Sequence, residues 1–160
     1  MLRLSKLTDY AVVVLVRLDA CHGVTTSPSL AQDTGIPEPT VAKVLKALAA
    51  AELVVSQRGA RGGYRLAVPL DRIPVAEVIS AIDGPISLAA CVDGATGCEA
   101  QRLCPVRGRW DPVNEAIREA LTRITLADMR PADRPPAGAA SHLFDIDHQP
   151  TRADASLAAE

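Results

Sequence analysis

Three of the chain's four cysteines fall close together: Cys91, Cys98 and Cys104, with six residues between the first two and five between the last two. Asp93, Gly94 and Gly97 lie inside the first interval and Pro105 follows the third thiol, a composition that reads as a loop. Thiolates are the ligands that soft metals and iron–sulfur centres prefer, so a metal or cluster site is the first reading of this segment. A thiol–disulfide switch is the second reading and a set of inert packed thiols the third. A zinc ribbon is disfavoured, because no Cys-x-x-Cys pair occurs. The remaining thiol, Cys21, ends an apolar run and reads as packing, His22 beside it as a surface residue, and His142 and His148 as tail residues without a structural role.

A second group of residues has the chemistry of nucleic-acid contact. Thr40, Lys43 and Lys46 follow one another at spacings of three, with Glu38 and Pro39 just before them. The plainer reading of such a stripe is a solvated helix face. Major-groove readers, however, present polar and basic side chains early in a recognition helix. Further on, Arg58, Arg61 and, after three glycines, Arg65 occupy a stretch built for a tight hairpin. Arginines on a hairpin tip suit phosphates or an adjacent minor groove, where the negative potential is deepest. Aromatic residues are scarce, only Tyr10, Tyr64, Trp110 and Phe144, so base stacking on single strands is not expected.

The elements that would position these groups follow from periodicity. From Leu4 to about Ala20, Leu7, Ala11, Val14, Leu15 and Leu18 share one helical face, and Val12, Val13 and Val16 widen the apolar surface enough to expect cover on more than one side. Ser27 and Pro28 read as the cap and first turn of a second helix that Gly35 stops. A third helix runs from Glu38 or Pro39 to about Glu52, with Val41, Val44, Leu45 and Leu48 inward. Leu53–Ser56 and Tyr64–Leu66 then read as the two strands of a wing. The pattern is a winged helix-turn-helix over residues 1–68, in a mainly α chain with a two-stranded wing. Residues 69–104 hold a linking helix, with Val75, Val78, Ile79 and Ile82 on one side and Gly84–Pro85 at its end, followed by the cysteine loop. Residues 105–130 carry a long C-terminal helix that begins at Asp111 or, kinked at Pro112, at Pro105; Val113, Ile117, Leu121 and Ile124 form the stripe of a dimer contact. Residues 131–160, rich in Pro, Ala, Asp and Ser, read as a mostly disordered tail.

Composition bounds the function. The chain has 160 residues, 48% of them apolar, and a net charge of −2. That total conceals a gradient: residues 1–70 carry +3, residues 71–130 carry −2 and residues 131–160 carry −3. The positive end coincides with the candidate DNA-binding pattern. The longest apolar run, Ala11–Val16, is too short for a bilayer. Lys6 and Asp9 interrupt anything resembling a leader peptide, and a cytoplasmic protein is expected. No Ser-His-Asp set, carboxylate pair or phosphate-binding glycine loop appears, so an enzyme with a small-molecule substrate is the least favoured class.

The opening LRLSKLTDYAV, the segment LVVSQRGARGGYRL, the helix VAEVISAIDG, the three cysteines and the late ITLADM, in this order, resemble the IscR, NsrR and RirA family of dimeric winged-helix transcriptional regulators. Among these the chain is most similar to the branch that controls iron–sulfur cluster assembly genes. The match covers about residues 1–130. The resemblance implies a homodimer on double-stranded operator DNA, with an iron–sulfur cluster, 2Fe–2S ahead of 4Fe–4S, held by Cys91, Cys98 and Cys104 in each subunit. It also implies that cluster state controls operator affinity. One branch of the family has a histidine three residues after the last cysteine; here that position is Arg107, whose guanidinium stays protonated and cannot ligate iron. Asp9 matches the position from which another branch supplies a carboxylate from the partner subunit, which makes it the candidate fourth ligand, ahead of His22, Cys21 and Glu99. The expected mechanism has Glu38, Pro39, Thr40 and Lys43 at the major groove, Lys46 at the backbone, and Arg58, Arg61 and Arg65 at phosphates or the minor groove. Reordering of the cysteine loop would then change the separation of the two recognition helices. The alternative reading is a thiol-redox or zinc-dependent winged-helix repressor without a cluster.

Overall fold

The fold grows from an N-terminal helix, α1 (Lys6–Ala20), that is buried along one face and capped by its predecessor: the Ser5 hydroxyl accepts from the Thr8 N–H at 3.1 Å. The structure, a computed structural model, describes residues 4–21, 23–59, 62–89, 92, 104–106 and 108–131. Ala11, Val14, Leu15 and Leu18 recur at spacings of three and four and are buried, Val12 and Val16 pack partly against the core, and Val13 faces outward. The broad apolar surface expected of α1 is thus covered on its flanks and open at Val13.

Helix α2 (Ser27–Thr34) starts one residue earlier than the Ser–Pro pair suggested. Thr26, in extended backbone, is the cap and accepts from the Ser29 N–H at 3.3 Å, leaving Ser27 and Pro28 in the first turn. Gly35 closes the helix with φ 71°, a left-handed conformation in which a Cβ is costly. Helix α3 (Glu38–Ala50) buries Val41, Val44, Leu45 and Leu48 fully against α1 and α2. Its end is unusual. Leu53 N–H reaches back to the Leu48 carbonyl at 3.0 Å and Glu52 N–H to that of Ala49 at 3.2 Å, a Schellman-type closure, yet the left-handed residue is Glu52, at φ 60°.

Strands β1 (Val54–Gln57) and β2 (Gly63–Leu66) pair antiparallel with Val54 opposite Leu66 and Gln57 opposite Gly63. The other edge of β2 is also used: Thr25 and Tyr64 exchange both backbone bonds, at 2.9 and 2.8 Å. The connection before α2 therefore ties the wing to the helix-turn-helix. Gly63 is needed there, since a Cβ would lie 2.6 Å from the Thr25 carbonyl oxygen.

A short 3-10 turn (Leu70–Arg72) leads to α4 (Val75–Asp83), which Gly84 ends and which buries Val75, Val78 and Ile79. Helix α5 covers Asp111–Arg123, thirteen residues or about 20 Å, so it fills only half of the span 105–130 expected of it. The start at Asp111 is the one adopted, with turns before it, and Trp110 holds the N-cap position without a side-chain capping bond. After α5 the chain returns to the core. Val75 N–H donates to the Ile124 carbonyl and Leu126 N–H to that of Ile73, both at 2.9 Å, and Leu126 is fully buried. Arg130 closes this return with an ion pair to Asp19 at 2.8 Å. Among the described residues no helix is long and apolar enough to cross a membrane. The tail expected to be disordered, apart from Pro131, lies outside the described residues.

Candidate nucleic-acid interface and thiol segment

The packing of α3 decides which of its side chains can act. With Val41, Val44, Leu45 and Leu48 turned inward, Glu38, Pro39, Ala42, Lys43 and Lys46 are exposed and Thr40 is half-buried. The expected contact residues of α3 thus share the outer face of one helix. Ala42 is exposed on the same face, beside Lys46. No side chain caps α3; the Pro37 carbonyl accepts from Thr40 and Val41 N–H at 2.9 and 3.1 Å.

The helix-turn-helix is held at its outer edge by Arg17 of α1, whose Nε and Nη2 donate to one oxygen of Asp33 on α2 at 3.0 and 2.9 Å. That hydrogen bond, followed by the charge of Asp33, holds the guanidinium firmly protonated. On the wing, Arg58 is exposed immediately beyond β1. Arg65 is exposed on β2 and donates to its neighbour Leu66's carbonyl at 3.3 Å. Arg61 lies outside the described residues.

Of the expected cluster ligands, Cys104 is a free, half-buried thiol in non-helical chain before α5, and Asp9 is exposed on α1. Cys91, Cys98, Glu99, Arg107 and His22 lie outside the described residues. Cys21 is a half-buried free thiol at the C-cap of α1, its N–H bonded to the Arg17 and Leu18 carbonyls. Among the described residues no three His, Cys, Asp or Glu side chains gather as a metal site. Of the three expected ligands the described one, Cys104, is a free thiol open to part of the solvent, a donor type that an iron–sulfur centre accepts.

Two polar joints flank this segment. At its base, Asp83, the last residue of α4, accepts from Thr8 Oγ1 at 2.7 Å and from Ser5 N–H at 3.3 Å on α1. Burial pushes the Asp83 carboxyl up, but the bonds from Ser5 and Thr8 outweigh it and hold it below the usual carboxylate range. Farther on, Asn114 in the first turn of α5 is 1% exposed; its Oδ1 accepts from Leu88 N–H at 3.0 Å and its Nδ2 donates to the Ile86 carbonyl at 3.1 Å. Sequence reasoning passed over both joints. A signal existed for Asn114, which stands four residues after Trp110 and three before Ile117, a polar residue in an otherwise apolar stripe. None existed for Thr8 and Asp83, which meet across 75 residues of chain.

Residues 4–131 match the Rrf2 family, described as an iron-dependent transcriptional regulator. The HTH-type transcriptional regulator IscR of Sodalis glossinidius is 32% identical over 130 residues, which cover 80% of this chain and 78% of that protein. The solved structure of CymR, the global cysteine regulator of B. subtilis, is similar with a TM-score of 0.61 at 30% identity, covering 81% of this chain and 96% of that one. The structure of T. potens IscR is similar with a TM-score of 0.59, also at 30% identity, covering 80% and 85%.

Proposed function

Because the chain belongs to the Rrf2 family of transcriptional regulators, we propose that it is a homodimeric operator-binding protein whose DNA affinity is set by an iron–sulfur cluster on Cys91, Cys98 and Cys104. The observation that carries the DNA half of this reading is the outer face of α3, where Lys43 and Lys46 stand exposed on a helix whose opposite side is fully buried. Glu38, Pro39, Thr40 and Lys43 face the major groove, Lys46 meets the backbone, and Arg58, Arg61 and Arg65 hold phosphates or the minor groove. Residues 1–68 are the DNA-binding domain, 69–104 the sensing segment and 105–130 the dimer contact. In the dimer, the two α3 helices must match half-sites about one helical turn of DNA apart, so a small rotation between subunits changes affinity steeply.

A bound cluster would supply an oxidation- and iron-sensitive link among the three thiols. Asp9 of the partner subunit is the fourth ligand in this reading; a carboxylate is a harder donor than a thiolate, and a cluster held by one is labile, as a sensor requires. The regulated genes serve cluster assembly or iron and redox stress, and the protein works in the cytoplasm.

The similarity to CymR favours a second reading, a thiol-redox repressor that uses the same cysteines without a cluster. Anaerobic purification followed by a visible spectrum, iron and sulfide analysis and operator titration separates the two. Visible absorption with about equal iron and sulfide, and an operator affinity that changes on cluster loss at fixed salt, support the cluster. A colourless protein whose DNA affinity responds to oxidant alone would replace it with the thiol reading.

A further inference from the structure

Asn114 reads the backbone on the near side of the cysteine segment from a position on its far side. Leu88 precedes Cys91 by three residues, and Asn114 follows Cys104 by ten. The two hydrogen bonds of one carboxamide, at 3.0 and 3.1 Å, therefore tie residues 86–88 to the first turn of α5. Leu88 offers an N–H and Ile86 a carbonyl, so only the carboxamide orientation with Oδ1 toward Leu88 satisfies both. At 1% exposure the side chain has no water to turn to, and releasing it would leave an amide and two backbone groups unpaired.

The opposite end of α5 is fixed to different residues. Val75 N–H holds the Ile124 carbonyl, Leu126 is buried in the core, and Arg130 pairs with Asp19 of α1. Helix α5 is thus jointed at both ends. Its C-terminal joint belongs to the winged-helix core, and its N-terminal joint belongs to the chain that leads into Cys91. A displacement at residues 86–88 acts on α5 at one end while the other stays put, which is a lever.

We propose that Asn114 is the positioning residue that transmits the state of the cysteine segment to α5, and so to the partner subunit and the spacing of the recognition helices. This rests on the function proposed above. Linkage makes the coupling reciprocal, so operator DNA should change cluster retention by the same factor, and in the same direction, as the cluster changes DNA affinity.

The test uses the full chain as wild type, N114A and N114S, each reconstituted with ferrous iron and sulfide or stripped by chelator. The DNA is a duplex selected by the wild-type protein from random sequence. Three quantities are read: hydrogen exchange at Leu88, the visible spectrum, and the ratio of operator affinities between loaded and stripped protein at fixed salt. For wild type a ratio of about 5- to 150-fold is expected, the usual range of allosteric coupling. N114A should keep the spectrum, speed exchange at Leu88 and bring the ratio to within about twofold of unity. N114S, with one hydroxyl in place of two bonding atoms, should fall between, and it carries the test if N114A does not fold. A wild-type ratio retained by the variant while Leu88 exchange is accelerated overturns the role of Asn114 alone. A wild type that takes up no cluster, or shows no ratio, overturns the proposed function and this inference with it.

Discussion

At the scale of single residues, function is read from side chains that the core leaves outside. Lys43 and Lys46 are both exposed on α3 but have different expected partners. Lys43→Ala should cost about 1–3 kcal/mol on the preferred operator and relax its sequence preference, as loss of a base contact does. Lys46→Ala should weaken binding to all duplexes alike and lower the slope of log affinity against log salt by about 1. Titrations at several salt concentrations on selected and scrambled duplexes check both, and indistinguishable profiles would remove the assignment. Glu52 carries a different kind of information. It occupies the left-handed position that ends α3, where glycine has no Cβ to strain. Glu52→Gly should raise stability by about 0.5–1 kcal/mol, visible as a melting temperature higher by a few degrees; an unchanged or lower midpoint would refute it. Periodicity made the lysines legible, whereas Glu52's conformation is invisible in sequence, because a glutamate does not announce a positive φ.

At the scale of elements, the joints matter more than the helices. Asp83 sits at the C-terminus of α4, where a negative charge opposes the helix dipole, and is kept there by Ser5 and Thr8 at the start of α1. Its pKa is depressed in the folded protein, so the unfolded chain binds the proton more readily. The stabilisation is therefore present above the unfolded value of about 4 and is lost as pH falls through the lower, folded value. Asp128 behaves in the same direction because Thr125 N–H and Oγ1 donate to its carboxylate at 2.8 and 2.9 Å. Asp83→Asn should flatten the acid limb of a denaturation midpoint followed from pH 6 down to pH 3, and an unchanged limb would show the joint to be inert. The return of the chain to the core after α5 is a second joint. Leu126→Ala empties a fully buried site and should cost about 2–5 kcal/mol by chemical denaturation. A loss below 1 kcal/mol would mean that the return is not part of the folding core. Sequence periodicity, together with turn residues, placed α1 to α4 and both strands among the described residues to within a few residues of their bounds, whereas the helix expected over 105–130 is twice as long as α5. It shifted the α2 cap to Ser27 because Thr26 and Ser27 are chemically equivalent caps, and only backbone geometry chooses between them. It could not foresee that Thr25 pairs with Tyr64, since a lone bridge has no period.

At the scale of the whole molecule, the single chain leaves apolar surface open. Val113 is 45% and Ile124 43% exposed on or beside α5, and Val13 is 41% exposed on α1. In the proposed dimer the partner covers the α5 stripe. Replacing Val113 and Ile124 together with Glu should convert a species of twice the chain mass into one of single mass by light scattering, with specific operator binding lost and the melt of the single chain preserved. A wild type of single mass would refute the dimer.

The sequence by itself determined the kind of protein this is: the order of its helices, the glycine-rich wing with its arginines, the three spaced thiols and the family resemblance are all local patterns that survive without coordinates. Only the tertiary structure decided how those parts are joined. Asn114 to Leu88, Thr8 to Asp83, Arg130 to Asp19 and Leu126 to the core are contacts between residues far apart in the chain. A periodic pattern can single out one member of such a contact, as it does Asn114, but never its partner, because partners are chosen by packing and by the need to satisfy buried polar groups, and both exist only once the chain has closed on itself.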